Sequence, residues 1–377
     1  MPAFPLLLAL LLLAPLPLLA AGDDEVPPPA AAKRGLSKAH ATAKAPRLRD
    51  RTGPLYADRD DAMQFAEEVA GRRGLDAAWV RRMLGRAHQL AVVSKLMQPA
   101  PPGQPKNWAV YRGRFIGPVR IAAGVRFWQD NHATLARAEQ DFGVPAEIIV
   151  GIVGVETIYG QQMGDFRILD ALATLAFDFP QNHPRAAERS EFFRKELESF
   201  LVRARTGHTS PLRPRGSYAG AWGMPQFMPT SVARWGVDYD GDGRVDLAHS
   251  PADVIGSVAN YFKGFGWNPG MPAFYPVRFD PDKLDLDALL APDILPTFSV
   301  ASFQAKGAIL EGPALEHQGP LALVELQNGD EPPSFVAGTE NFYVITRYNQ
   351  SSYYAMAVIE LGQAVKDAVD AAATPKP

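Results

Sequence analysis

Pro145-Ala146-Glu147-Ile148-Ile149-Val150-Gly151-Ile152-Val153-Gly154-Val155-Glu156-Thr157-Ile158-Tyr159-Gly160 is apolar nearly all round, as suits a helix buried at the centre of a large domain. Pro145 fits its first turn and Gly160 its end. One carboxylate interrupts the last turn, where Glu156 stands above Ile149 and Ile152 at helical spacing. Desolvation disfavours its anion, and the negative end of the helix dipole does too, so both raise its pKa and favour a proton near neutral pH. A general acid needs that condition. A buried glutamate paired with an arginine such as Arg167, or hydrogen-bonded to backbone, satisfies the same pattern.

Working outward, Phe127 to Phe142 is expected to form one helix and Arg185 to Arg205 another, with Phe193, Leu197, Phe200 and Leu201 on its inner face. Pro251 to Phe265 carries the stripe Val254, Val258, Tyr261, Phe262 and Phe265. Upstream, apolar residues from Asp58 to Met97 recur at helical intervals, broken by Gly71 and Gly74, so a small helical lobe precedes the core. Downstream, Tyr275–Phe279, Ala322–Leu326 and Phe342–Ile345 are short runs separated by Gly, Pro, Asn and Asp, which favours strands. Ser352 to Val369 closes the chain as a helix, with Met356, Ile359, Leu361 and Val365 facing inward. The expected fold is therefore mainly α (α+β). Its parts are a helical lobe over residues 51–100, a core over 101–270, a small β-rich insertion over 271–340, and a strand and helix over 341–370 that return to the core.

Composition narrows the chemistry. The 377 residues are 47% hydrophobic and 21% charged, enough for a large core. A net charge of −3, from 38 basic and 41 acidic residues, gives no field that would attract nucleic acid. With no cysteine there is no disulfide, thiol nucleophile, cysteine-bound metal or lipoprotein anchor. Residues 1–21 hold an apolar run, Leu6–Leu13, before Ala20, Ala21 and Gly22, so a cleaved signal peptide and export to the periplasm are expected, with an uncleaved anchor as the alternative. Residues 22–50 follow as a Pro-, Ala- and Lys-rich tether.

Two further stretches carry chemistry. In Ser217-Tyr218-Ala219-Gly220-Ala221-Trp222-Gly223-Met224-Pro225-Gln226-Phe227-Met228-Pro229, the glycines allow close backbone approach, while Gln226 and Tyr218 offer hydrogen bonds and flat surfaces to sugars. A tight turn between core elements is the competing reading. Asp238-Tyr239-Asp240-Gly241-Asp242-Gly243-Arg244 opens like an EF-hand loop, with Asp238, Asp240 and Asp242 at positions 1, 3 and 5 and Arg244 among the candidate ligands. Position 12 is His249, which cannot close such a loop. Ser250-Pro251-Ala252-Asp253 is also a capping box, so Asp253 has a purely structural explanation. The loop binds a bracing calcium ion or is a solvated acidic turn. No His-Glu-x-x-His pair, nucleophile elbow or phosphate loop occurs, and no organic cofactor is expected.

Gly154-Val155-Glu156-Thr157 with Tyr159-Gly160, the stretch from Ser217 to Pro229, Ile255-Gly256-Ser257-Val258-Ala259-Asn260-Tyr261-Phe262, and Asn341-Phe342-Tyr343 leading into Thr346-Arg347-Tyr348-Asn349 together resemble the lytic murein transglycosylases of the membrane-bound B family. The resemblance implies a lysozyme-like catalytic lobe, peptidoglycan as substrate, and Glu156 as the catalytic residue. It also implies that Ser217, Gln226, Tyr261, Tyr348, Asn349, Tyr354 and Tyr111 line the glycan groove. The family closes its calcium loop with a later Asp, here Asp253. The implied reaction cleaves the β-1,4 bond between N-acetylmuramic acid and N-acetylglucosamine and leaves a 1,6-anhydro ring. Alternatives are a hydrolytic muramidase, or a non-catalytic glycan-binding scaffold among cell-wall synthesis or division proteins.

Overall fold

The computed structural model describes residues 53–98 and 106–373. The expected leader and tether, residues 1–50, lie outside them. At the centre is the helix Ala146–Thr157, buried at every position except Glu147 and Glu156. The helix Ser352–Ala373 lies along it. Glycines let the two backbones touch. A Cβ on Gly151 would stand 2.2 Å from the Val358 carbonyl oxygen, and one on Gly362 would stand 2.0 Å from that of Glu147. No other residue fits either place.

Around this pair stand Pro118–Asp130, His132–Phe142 and Pro251–Gly264. The single helix expected over Phe127–Phe142 is thus part of two. The break falls at Asn131, whose amide Nδ2 donates to the Phe127 carbonyl at 2.8 Å. A short amide side chain competes in this way with the helical ladder.

A second core joins the helices Asp60–Arg73, Ala77–Leu84 and Ala91–Leu96 to Ile168–Phe177 and Ala186–Thr206. The inner face expected for the last of these, Phe193, Leu197, Phe200 and Leu201, is buried. The insertion holds a three-stranded antiparallel sheet with Glu331–Gly338 between Phe274–Pro276 and Ala322–Asn328. It covers a small core of its own around Leu289, Phe303, Leu310 and Leu321.

The strand expected at Phe342–Ile345 is instead part of the helix Glu340–Asn349. Four apolar residues fit either period, and the ends decide: Thr339 Oγ1 accepts from the Asn341 N–H at 3.1 Å, Glu340 lies in the first turn and Arg347 in the last. Among the described residues, no helix is long and apolar enough to cross a membrane.

Candidate active site

The central helix stops at Thr157 because Ile158 (φ 51°) and Tyr159 (φ 55°) turn left-handed, three residues before Gly160, where its end was expected. A β-branched residue rarely adopts that conformation, and contacts on both sides hold it here. Thr157 Oγ1 donates to the Met224 carbonyl at 2.8 Å and accepts from the Gly160 N–H at 3.0 Å, tying the helix end to the loop after Ser217. The Tyr159 ring folds back under the helix. Its hydroxyl occupies space that a Cβ on Gly124 or Gly154 would enter, at 2.4 Å in each case.

Glu156 therefore projects from a fixed end. Burial pushes its carboxyl up to about 7, and the hydrogen bond from Tyr354 Oη to Glu156 Oε1, at 2.5 Å, draws it only partly back. The residue keeps some exposed surface, although its carboxyl is densely surrounded by protein. Arg167 is engaged elsewhere, with Asp170 Oδ1 at 2.5 Å and the Arg86 carbonyl at 2.7 Å, so it is not the partner of Glu156. Asp178 likewise belongs to the second core, bound to Tyr56 and Arg59. No carboxylate contributes to the shift of Glu156.

Three tyrosines gather round it. Tyr348 stacks on Tyr354, with centroids 6.1 Å apart and planes 13° from parallel, and meets Tyr261 at 4.9 Å. Tyr348 Oη donates to the Pro225 carbonyl (2.6 Å) and Tyr261 Oη to that of Arg347 (2.8 Å). Burial raises all three phenols, and the nearby Glu156 charge raises them further, so they remain O–H donors.

The other expected residues divide. Tyr111 lies one ring back, between Trp108 and Tyr353. Ser217 Oγ accepts from the Ala221 N–H at 3.0 Å and closes its own turn. Gln226, at φ 51°, donates through Nε2 to the Gly223 carbonyl (2.8 Å) and that of Met163 (3.2 Å). Asn349 is half-buried at the end of its helix. Tyr218 packs into the second core, because its ring turns toward the helices of that core. Thr157 and Tyr159, which fix the helix end, escaped the sequence reading. Their signal was adjacency to Glu156.

In the acidic loop, Asp238, Asp240 and Asp253 each offer an oxygen within 4.8 Å of the others'. The Asp253 carboxylate is fully buried and accepts the N–H groups of Tyr239 (2.8 Å) and Asp246 (2.7 Å). Asp242 stands apart from this trio, its carboxylate held by Arg244 Nε at 3.0 Å. Ser250 Oγ accepts from the Asp253 N–H at 3.2 Å and caps the helix, but the expected capping box stays half-made, because the Ser250 N–H donates to the Asp246 carbonyl and the Asp253 carboxylate turns to the acidic loop.

Residues 57–363 match the family described as the transglycosylase SLT domain. Over 327 residues the chain is 40% identical to the membrane-bound lytic murein transglycosylase B of Escherichia coli (strain K12), covering 83% of this chain and 84% of that one. The Escherichia coli lytic transglycosylase Slt35 in complex with bulgecin A gives a TM-score of 0.74 at 40% identity, covering 87% of this chain and 100% of that chain. The same enzyme in complex with calcium gives 0.72, also at 40% identity and with the same coverage. SltB3 from Pseudomonas aeruginosa, in complex with NAG-anhNAM-pentapeptide, gives 0.66 at 28% identity, covering 80% of this chain and 79% of that chain. A mainly helical lysozyme-like fold, shared over most of its length with these enzymes, places the chain in the lytic murein transglycosylase family, whose members cleave peptidoglycan.

Proposed function

We propose that Glu156 performs both proton transfers in cleaving the β-1,4 bond between N-acetylmuramic acid and N-acetylglucosamine. Its protonated carboxyl gives a proton to the leaving oxygen as the bond opens. The substrate's own acetamido group stabilises the cationic anomeric carbon. The carboxylate then takes the proton of the muramyl 6-hydroxyl, which closes a 1,6-anhydro ring. The observation that supports this most is one carboxyl, raised to about 7, whose surroundings are tyrosines rather than a second acid. Glycosidases that use water or a covalent intermediate pair two carboxylates across the bond. The anhydro sugar in the ligand of the SltB3 complex is in keeping with this product.

Tyr354 orients the carboxyl, while Tyr261, Tyr348, Asn349, Ser217 and Gln226 line the groove, with Tyr111 set back against Tyr353. The substrate sets the enzyme to work in the cell wall, and the apolar leader would take it to the periplasm. Mass spectrometry of digested sacculi tests the reading. Released muropeptides are expected to be one water lighter than hydrolysis products; fragments ending in reducing muramic acid would establish a muramidase instead.

Asp238, Asp240 and Asp253 suit a hard cation, and calcium would brace the lobe without acid–base work. Added calcium is then expected to stabilise the fold by about 2.7 kcal/mol at a hundredfold excess over Kd. Asp240→Asn should weaken that response. A melting temperature indifferent to calcium and to chelator would remove the assignment.

A further inference from the structure

A hollow of about 260 Å³ opens beside the second core, where the end of the helix Ala186–Thr206 comes up to Trp79 on the helix Ala77–Leu84. Trp79, Ala204, Arg205, His208, Thr209 and Ser210 line it, and none of them belongs to the site around Glu156. One wall is a fixed turn. The N–H groups of Gly207, His208 and Thr209 donate to the carbonyls of Arg203, Arg205 and Ala204 at 2.9, 3.3 and 2.9 Å. His208 is left-handed, at φ 50°, while Gly207 before it sits at φ −81°, where any residue fits. Glycine ends helices in the left-handed conformation without the strain a side chain brings. Placing it one position early puts an imidazole on the turn instead.

The polar groups of the lining are open. Among the described residues the Arg205 guanidinium makes no ion pair or hydrogen bond, and it stands 5.5 Å from the centre of the Trp79 ring. The His208 ring and the Thr209 hydroxyl are likewise without partners, and Ser210 Oγ takes only a long bond from the Leu212 N–H, at 3.3 Å. Asp76, before the helix that carries Trp79, accepts from the Ala78 N–H at 2.9 Å. Glu198, two turns back on the other helix, is held by Arg72 and Arg73 at 2.7 and 2.6 Å. Neither neutralises Arg205. A sugar lays its C–H face on an indole, and a guanidinium fork takes a carboxylate. A bare anion gains less here, because the negative end of the helix dipole faces it. The ligand that suits the whole lining has both parts.

We propose that this hollow is a second glycan site, outside the groove, for a sugar that carries a free carboxylate. In peptidoglycan that sugar is muramic acid from which the stem peptide has been removed, since the bond to the peptide otherwise turns the lactyl carboxylate into an amide. The choice of muramic acid rests on the reading of the chain as an enzyme that cuts peptidoglycan at Glu156; the hollow itself does not. Occupied, it holds the protein on stripped strands.

The Trp79 indole N–H, assigned by NMR with Trp79→Phe, reports on the hollow without turnover. It is expected to shift in a titration with N-acetylmuramic acid and to stay in place with N-acetylglucosamine, which lacks the carboxylate, and with lactate, which lacks the ring. Arg205→Met should weaken the binding about tenfold, as the loss of one charge-assisted contact implies. An equal shift with either fragment, a shift of undiminished affinity in Arg205→Met, or no shift at all overturns the proposal. A second measurement uses whole strands. In a Glu156→Gln background, Arg205→Met is expected to loosen binding to strands stripped by an amidase about tenfold and to leave binding to peptide-bearing strands unchanged. Equal loss on both, or loss on neither, overturns the proposal. A Trp79 response to N-acetylmuramic acid together with an inactive wild type would uphold the hollow and sink the reading of Glu156.

Discussion

Glu156→Gln is expected to lower glycan release by on the order of 10³-fold while sacculi are still bound, because the amide keeps the shape and the acceptor for Tyr354 but has no proton to give. The same substitution should stabilise the fold at neutral and alkaline pH. Burial raises the Glu156 carboxyl from its ordinary value of 4.5 to about 7, so the folded chain holds a proton that the unfolded chain releases within that window. Below the window both states are protonated and the amide brings no gain. As pH climbs through it, wild type loses stability that the variant keeps. At one pKa unit per 1.36 kcal/mol the difference reaches at most about 3 kcal/mol, less what the exposed edge of the residue recovers from water. Urea melts at acidic and alkaline pH, run beside a turnover assay, read both effects. Undiminished turnover in the variant would end the case for Glu156.

Gly362→Leu is expected to cost about 3 kcal/mol or more and to abolish activity with it, since overpacking here meets backbone rather than a movable side chain. Even a Cβ at that position would stand 2.0 Å from the Glu147 carbonyl oxygen. The two helices must part, and Tyr354 rides on the one that moves away from Glu156. Gly71→Ala makes the contrast. That glycine lies in the exposed part of the helix Asp60–Arg73, with nothing within 4 Å of the added carbon, so the change should stabilise by roughly 0.5–1 kcal/mol. Equal melting behaviour of the two variants would show that the close crossing is not what holds the core.

Much of this arrangement was legible locally. An apolar run of helical length announces a buried helix, and a carboxylate in its last turn is conspicuous, so the buried placement of Glu156 and the inner face of Phe193, Leu197, Phe200 and Leu201 could be read directly. Phe342–Ile345 could not, because four apolar residues hold no period and the Thr339 cap decided the outcome. Nor could the break at Asn131, which rests on one side-chain hydrogen bond. The meeting of Tyr354 with Glu156 spans 198 positions and depends on Gly151 and Gly362 at a crossing that neither segment reveals alone. Ring chemistry also fails to say which core an aromatic joins. Tyr348 and Tyr218 looked equally fit for a sugar groove, yet one stacks on Tyr354 and the other packs among the helices of the second core.

Everything turns on where one carboxyl loses its proton. With the glutamate side chains labelled at the carboxyl carbon and Glu156→Gln used to assign the signal, an NMR titration of the folded protein follows that group directly. Its midpoint is expected near 7. A midpoint at the ordinary 4.5 would mean that the site holds an anion at working pH, with no proton to lend to the leaving sugar.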